Sequence, residues 1–118
     1  MAGFLTEMAK SSLARVTEAK TRVTEADLWA RAQESTPPPQ LRLSEAGFDV
    51  IAELKLNSPV AGKLGAVTDN LEARVVEYAE GGAAAVSVLT EPTRFDGSME
   101  HLERGARALR SNGVPVMR

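Results

Sequence analysis

The spacing of apolar residues divides this chain into a helical first third and a body in which strands alternate with helices. From Phe4 onward, apolar residues recur every three to five positions among Glu and Lys, which predicts an amphipathic helix. Its apolar positions are Phe4, Leu5, Met8, Leu13 and Val16. Thr24 is a typical N-cap and predicts a second, short helix that carries Leu28 and Trp29 and ends near Gln33. We expect a helical hairpin that covers a neighbouring surface, with a partner-binding arm as the alternative.

Three consecutive prolines separate the two patterns. The prolines at positions 37–39 lack backbone donors and favour an extended polyproline segment, so a helix cannot continue through them. We therefore predict a helical extension over residues 1–36, a linker over residues 37–46 and the main body of the fold over residues 47–118.

Three runs of apolar and β-branched residues predict the strands of the body. The first run, residues 48–56, is almost continuously apolar between Gly47 and a turn signal at 57–59, which indicates a strand buried on both faces. Residues 84–90 and 114–117 predict two further short strands.

An amphipathic helix is predicted between the first two strands. Asp69 and Glu72 have the spacing of a capping box at the start of a helix over residues 69–80, and Gly81 and Gly82 end it. Its apolar stripe consists of Leu71, Val75, Tyr78 and Ala79.

A second helix is predicted between the second and third strands. Ser98 is its expected N-cap, and Asn112 and Gly113 mark its end. Its apolar residues are Leu102, Ala106 and Leu109. The order strand, helix, strand, helix, strand, with connections long enough for parallel pairing, predicts an α/β fold.

The third predicted strand would leave one edge of the sheet open. Unpaired backbone groups at a sheet edge favour association, and parallel sheets normally have both faces covered. A closed eight-stranded barrel has about 250 residues, whereas this chain has 118. We therefore expect the chain to be a fragment or one part of a split protein.

The composition narrows the class of function. The chain is 43% hydrophobic and 25% charged, which is typical of one soluble domain. It has no Cys and one His, which excludes a disulfide framework, a thiolate metal site and a multi-His zinc site. The net charge of −2 argues against nucleic-acid binding, and no apolar stretch approaches the length of a membrane span. We expect a cytoplasmic protein with neither a nucleic-acid nor a membrane partner.

A charged pair interrupts the first predicted strand. Because side chains alternate along a strand, Glu53 and Lys55 point to the same face as Ile51. Burying either charge without a partner would cost several kcal/mol. Two interpretations follow: the two residues form a mutually satisfied ion pair, or they are catalytic. In the second case Glu53 orients or deprotonates a reacting group, and Lys55 binds an anion or acts as an acid.

Two loops follow the first two strands. The segment 57–65 lacks the spacing of a phosphate-binding Walker loop, and we expect a simple loop rather than an anion cradle. In the segment 89–98, Phe95 either packs under its own loop or contacts an aromatic substrate. We expect Ser98 to act as a plain helix cap and His101 to be a surface residue.

Four collinear segments of the body resemble the indole-3-glycerol phosphate synthase family. The first, at 50–59, contains Ala-Glu-Leu-Lys and Ser-Pro. The second, at 81–91, contains Gly-Gly-Ala and Ser-Val-Leu-Thr-Glu. Phe-Asp-Gly-Ser at 95–98 and Val-Pro-Val-Met-Arg at 114–118 complete the series. The resemblance covers nearly the whole chain and corresponds to the first half of that enzyme.

The resemblance implies a fold and a reaction. The fold would be the first three βα units of a (β/α)8 TIM barrel with an N-terminal helical extension. The reaction closes 1-(2-carboxyphenylamino)-1-deoxyribulose 5-phosphate to the indole with loss of carbon dioxide and water, in tryptophan biosynthesis. It requires no metal and no organic cofactor. The implied partners are this phosphosugar-anthranilate substrate and either a C-terminal barrel half or a second copy of the chain.

The resemblance also assigns roles to four residues. Glu53 matches the catalytic glutamate that orients the principal lysine, and Lys55 matches a lysine that contacts the substrate and shares the acid role. Ser58 matches a substrate-contacting serine, and Phe95 matches the aromatic residue that packs on the anthranilate ring.

The chain also departs from the family pattern. The family's main acid lysine directly follows the motif that ends at Arg118, and its phosphate site lies in later loops, so we expect the isolated chain to be inactive. Val60 and Ala61 stand where many relatives have Ser and Lys, and the residues at 56–57 are less basic than usual, which affects the finer substrate contacts.

Two alternatives to a synthase segment are a non-catalytic module and another phosphosugar-binding barrel. In the first, a half-barrel self-associates through its open strands and Glu53 and Lys55 are merely paired. In the second, the chain belongs to an isomerase of the same pathway. The combination of Ala-Glu-x-Lys and Ser-Pro argues against the isomerase.

We predict that the 118-residue chain self-associates. The strands predicted at 84–90 and 114–117 would otherwise lack neighbours, and their free edges favour pairing with a second copy. Sedimentation velocity would show dimers or larger species, whereas a strictly monomeric and dispersed chain would contradict this prediction.

Overall fold

The computed structural model describes residues 2–64 and 70–118, which form four helices and five short strands. In chain order these are α1 (Ala2–Arg22), α2 (Glu25–Glu34), β1 (Ile51–Leu54), β2 (Asn57–Ser58), β3 (Gly62–Lys63), α3 (Leu71–Glu80), β4 (Ala85–Val88), α4 (Met99–Ala108) and β5 (Val116–Met117). The chain divides into two compact units, Met1–Pro37 and Pro38–Arg118.

The first unit contains the two predicted helices. Thr24 caps α2 as predicted, because its hydroxyl oxygen accepts the backbone N–H of Asp27 at 3.1 Å. The predicted hairpin is wrong: over their described residues, α1 and α2 do not pack along each other. Leu28 and Trp29 of α2 are both exposed, so the apolar residues that the sequence assigned to α2 do not pack against α1.

A membrane span is not found in the described part of the chain. Within residues 2–64 and 70–118, no helix is both long enough and apolar enough to cross a bilayer.

In the second unit, three of the described strands form a parallel sheet in the order β1-β4-β5. Glu53 aligns with Ser87, and Ser87 aligns with Met117, so one row of side chains crosses the sheet. The α/β architecture with parallel strands is thereby confirmed. The strands are shorter than predicted, because the ladder includes only residues that have a partner opposite them.

The core lies between one face of this sheet and the two helices. Its buried side chains are Leu54 of β1, Val86 and Val88 of β4, Leu71 and Val75 of α3, and Leu109 after α4. Apolar side chains at alternate positions along β1 and β4 therefore meet the helical layer, while the residues between them point to the opposite face.

The prediction that the first strand is buried on both faces is wrong. Ile51 is 52% exposed and Met117 is 46% exposed on the face away from the helices, and Phe48, at 87% exposure, lies outside the strand. Among the described residues of this unit, the helices cover only the face of Leu54. An uninterrupted apolar run does not by itself show which face a helix will cover.

The start of α3 also differs from the prediction. Asn70 is the N-cap, and its side-chain oxygen accepts the backbone N–H of Ala73 at 3.0 Å. The predicted capping box of Asp69 and Glu72 is therefore wrong, with Asp69 itself lying outside the described residues. Asn is as good an N-cap as Asp, so residue type alone does not choose between positions 69 and 70. The predicted end is confirmed, since α3 ends at Glu80 with Gly81 as the C-cap.

The packed face of α4 is centred on Gly105. Leu109 is buried as predicted, but Ala106 is exposed and Gly105 is buried in its place. Gly105 lies against β4 and α3, where a Cβ atom would meet Val88 at 3.5 Å and Val75 at 3.9 Å. Both distances are ordinary van der Waals contacts, so Gly105 packs in the core although it adds no apolar side chain, which an apolar stripe alone does not predict. The helix ends at Ala108, earlier than predicted, and turn residues continue to Gly113.

Helices α3 and α4 are also joined by a bidentate ion pair. The guanidinium of Arg104 donates to both carboxylate oxygens of Glu72, at 2.6 and 2.9 Å. The hydrogen bond from Arg104 is the main reason that the pKa of Glu72 falls from 4.5 to about 2. The carboxylate form of Glu72 is therefore stabilised by the folded state.

We predict that Glu72→Gln lowers the free energy of unfolding at pH 7. Because the folded pKa of Glu72 is depressed, its contribution is present above pH 4.5 and is lost as the pH falls toward about 2. Urea denaturation at several pH values should show the wild type and the variant converging over this range. Glu77→Gln is the matched control, since Glu77 makes only an exposed pair with Arg74 at 3.6 Å. Equal effects of the two substitutions at pH 7 would contradict the prediction.

Candidate active site

Glu53 and Lys55 lie on the open face of the sheet, at the carboxyl end of β1. The Nζ atom of Lys55 is 3.1 Å from Oε1 of Glu53, so the prediction that the two side chains share a face is confirmed. The side chain of Glu53 is 44% exposed and that of Lys55 is 34% exposed. The ion pair is thus formed but accessible to solvent.

The accessibility of this pair limits its value to the fold. Ion pairs between partly exposed side chains contribute about 0–1 kcal/mol to stability. The helices pack on the opposite face, so neither charge is needed to complete the core. Both interpretations of the pair, structural and catalytic, are compatible with this geometry.

Phe95 brings the loop after β4 to the same charged pair. The Nζ atom of Lys55 lies over the Phe95 ring, 5.7 Å from its centroid, within the range of a cation–π contact. The side chain of Phe95 is half-buried. A carboxylate, an ammonium group and an aromatic face therefore meet at one edge of the sheet.

Glu91 organises the loop that carries Phe95. Its carboxylate accepts the backbone N–H groups of Thr93 and Arg94 at 3.0 and 2.7 Å, and its carbonyl oxygen accepts the N–H of Gly97 at 2.9 Å. Glu91 is a functional residue of the loop that was not expected from the sequence. The sequence feature that could have indicated this role is the position of Glu91. An acidic side chain in a loop can accept the backbone N–H groups of the residues two and three positions later, which make no strand or helix hydrogen bond.

Gly97 is required by the path of this loop. A Cβ atom at Gly97 would lie 2.3 Å from the carbonyl oxygen of Leu89 and 2.7 Å from backbone atoms of Thr90, which is closer than real contacts allow. The preceding residue, Asp96, adopts a positive φ of 52°, a conformation in which Asp is more frequent than most residues. The loop therefore folds back tightly against the end of β4.

Ser58 lies in a hairpin and not in the simple loop that the sequence predicted. Asn57 pairs with Lys63 and Ser58 pairs with Gly62, which makes β2 and β3 antiparallel. The hydroxyl oxygen of Ser58 accepts the N–H groups of Val60 and Ala61, each at 3.3 Å. A glycine at a positive φ of 71°, Gly62, makes this turn possible, and Gly65 lies outside the described residues.

A hydrogen bond that the sequence did not predict joins the hairpin to the loop of Phe95. The side-chain amide of Asn57 donates to the carboxylate of Asp96 at 3.2 Å. A similar contact links the ends of the next two strands, where Nε of Arg118 donates to the hydroxyl of Thr90 at 2.9 Å. Hydrogen bonds between side chains that are distant in sequence depend on the tertiary fold, so a local sequence pattern does not predict them.

The start of α4 combines a confirmed and a corrected prediction. Ser98 is the N-cap, and its hydroxyl oxygen accepts the N–H of His101 at 3.2 Å. His101 is half-buried and not a surface residue, and its Nδ1 atom is buried without a hydrogen-bond partner among the described residues. His101 lies one turn before Gly105, on the face of α4 that packs against the sheet, which explains its burial.

The side chains that meet at this edge are suited to acid–base chemistry beside an aromatic surface. Within the described ranges, no three His, Cys, Asp or Glu side chains are grouped to hold a metal ion. Lys55 can donate a proton or hold a carboxylate, Glu53 can accept a proton, and the ring of Phe95 offers a surface for an aromatic group. These groups stand at the carboxyl end of a parallel strand, where α/β folds place their chemistry.

The fold and this site define an α/β protein whose reactive groups stand at the carboxyl ends of parallel strands. The model of the indole-3-glycerol phosphate synthase family matches residues 5–115. The chain belongs to this family.

Three relatives, each named indole-3-glycerol phosphate synthase, illustrate the similarity. The protein of Desulfosudis oleivorans is 36% identical over an alignment of 124 positions, which covers 100% of this chain and 46% of that protein. The protein of Nocardioides sp. is 46% identical over 79% of this chain and 35% of its own length. The protein of Koribacter versatilis is 39% identical over 93% of this chain and 39% of its own length. The chain thus spans less than half of these relatives.

We predict that Gly97→Ala destabilises the second unit by about 1–3 kcal/mol, because the added Cβ atom can be accommodated only by moving the backbone of the loop. Gly105→Ala is the matched control, since its Cβ atom would make ordinary contacts at 3.5 and 3.9 Å in a helix that favours Ala over Gly. Chemical denaturation of both variants gives the comparison. A Gly97→Ala variant as stable as Gly105→Ala would show that the loop does not approach β4 as described.

Proposed function

We propose that this chain supplies the first three βα units of a (β/α)8 barrel that acts as an indole-3-glycerol phosphate synthase. The activity is that of a lyase, which closes 1-(2-carboxyphenylamino)-1-deoxyribulose 5-phosphate to the indole with loss of carbon dioxide and water. The observation that carries the proposal is the meeting of Glu53, Lys55 and Phe95 at the end of β1 in a chain of this family.

The sheet topology is compatible with consecutive strands of a barrel. The order β1-β4-β5 follows the chain, with each described parallel strand beside its predecessor. A barrel has this order throughout, and one half of a doubly wound sheet has it too, so the family supports the choice of a barrel. The uncovered face that carries Ile51, Glu53 and Met117 would become the barrel interior once further strands closed the sheet. Within this proposal, residues 1–36 are the extension, 37–46 the linker and 47–118 the partial barrel.

We assign the following roles to the site residues. Lys55 holds the substrate carboxylate or protonates the ketose carbonyl oxygen while the new carbon–carbon bond forms, and Glu53 orients the acid and accepts a proton. Phe95 packs against the anthranilate ring, and Ser58 contacts the substrate from the hairpin. The 3.1 Å separation of Lys55 and Glu53 permits direct proton transfer between them.

A non-catalytic half-barrel is the second candidate. The observation that favours it is that Glu53 and Lys55 already satisfy each other, which a purely structural pair would also do. In that case the chain would self-associate through its open strands, and neither charge would take part in a reaction.

We predict that Glu53→Gln strongly lowers turnover in the completed barrel. The test joins this chain to the segment that follows the matched region in the Desulfosudis oleivorans relative and measures formation of indole-3-glycerol phosphate. Loss of one acid–base group should lower kcat by about 100-fold to 10,000-fold, with an unchanged circular dichroism spectrum. Glu103→Gln, at an exposed position of α4, is the matched control and should retain full activity. Full activity of the Glu53→Gln variant would overturn the catalytic role of Glu53, whereas no turnover by the wild-type barrel would favour the non-catalytic alternative.

A further inference from the structure

Two neighbouring contacts join the segment of Lys55 and Asn57 to the loop of Phe95. The ammonium of Lys55 lies over the Phe95 ring at 5.7 Å, and the amide of Asn57 donates to Asp96 at 3.2 Å. Lys55 and Asn57 lie on either side of a bend at Leu56, and the side chains of both reach the loop of Phe95. Phe95 and Asp96 are consecutive. The hydrogen bond therefore lies beside the cation–π contact, because its two residues are close in sequence to the two residues of that contact.

Both ends of this hydrogen bond are anchored through the backbone. Asn57 is paired with Lys63 in the hairpin, and the N–H of Leu64 donates to the carbonyl oxygen of Leu56 at 3.0 Å. On the other side, Asp96 precedes Gly97, which is pressed against the end of β4. The bond thus connects two short segments that are each held in place by other contacts.

The ring of Phe95 is held less firmly than the backbone segments on either side of the hydrogen bond. Its side chain is half-buried, and a cation–π contact with a partly exposed lysine does not fix the ring strongly. Glu91 and Gly97 shape the loop itself, and the bond between Asn57 and Asp96 ties this loop to the segment of Lys55. Movement of the loop away from Lys55 would break that bond.

We propose that Asn57 and Asp96 are positioning residues, whose hydrogen bond holds Phe95 against Lys55 in the substrate site. The inference rests on the proposed function, in which Phe95 and Lys55 bind the aromatic carboxylate part of the substrate. Neither Asn57 nor Asp96 contacts the reacting atoms. Their effect is on the distance between the aromatic ring and the ammonium group.

A swap of the two side chains tests this role. Asn57→Asp alone places two carboxylates at a separation where the wild type has a donor and an acceptor, so the bond should break. Asn57→Asp combined with Asp96→Asn restores a donor and an acceptor in the reverse order. Asp96→Asn alone keeps an acceptor and a residue that tolerates the positive φ of 52° at this position. Asp49→Asn is the control, because Asp49 is an acceptor for Ser44 outside the site.

The readout is the nuclear Overhauser effect between the ε-methylene protons of Lys55 and the ring protons of Phe95, measured by NMR on the full chain. We expect loss of this signal in Asn57→Asp, its return in the swapped double variant, and no change in Asp49→Asn. The backbone amide spectrum of each variant reports whether the fold is retained. An unchanged signal in Asn57→Asp, or a folded double variant without the signal, would overturn the proposal.

A second measurement separates this proposal from the proposed function. In the completed barrel, Asn57→Asp should lower kcat by about 10-fold to 100-fold, since small displacements of positioning groups are costly, and the double variant should recover most of it. If the NMR signals behave as expected but the wild-type barrel shows no turnover, the proposed function is wrong and the positioning role stands. If the wild type is active and both variants match it, the positioning role is wrong.

Discussion

The packing of one face of the parallel sheet against α3 and α4 is the constraint on which the rest of this structure depends. Leu54 and Val88 align in adjacent strands and are buried together under the helices. Side chains alternate along a strand, so this burial forces Glu53 and Lys55 to the opposite face. Turning either charge toward the helices would cost several kcal/mol of desolvation. The core therefore orients the charged pair, although it does not touch it.

The second constraint is the close approach of the loop after β4 to its own strand. Gly97 allows backbone contact with Leu89 and Thr90, and Glu91 binds the N–H groups within the loop. These contacts return Phe95 to the carboxyl end of β1, where its ring meets Lys55. A site of three chemically different groups thus arises from one strand and one loop that are far apart in the sequence.

Two of the three predicted helix N-caps are present, whereas the predictions of which residues are buried were less accurate. The caps at Thr24 and Ser98 follow from a side chain that reaches a backbone N–H three residues away, and both are present. The exposure of Ile51 and the burial of Gly105 depend instead on which face a helix covers and how closely it approaches. An apolar run has the same appearance in either case, which is why burial on both faces was expected for the first strand.

By itself, the sequence determined the alternation of strands and helices, the shared face of Glu53 and Lys55, and the family, since each follows from local periodicity or from motifs in order. Only the tertiary structure decided that Phe95 meets Lys55, that Asn57 binds Asp96 from 39 positions away, and that Gly105 lies in the core. The physical reason is the distance along the chain over which each kind of interaction acts. Periodicity reflects geometry within a few residues, whereas a contact between distant loops depends on the path of every segment between them.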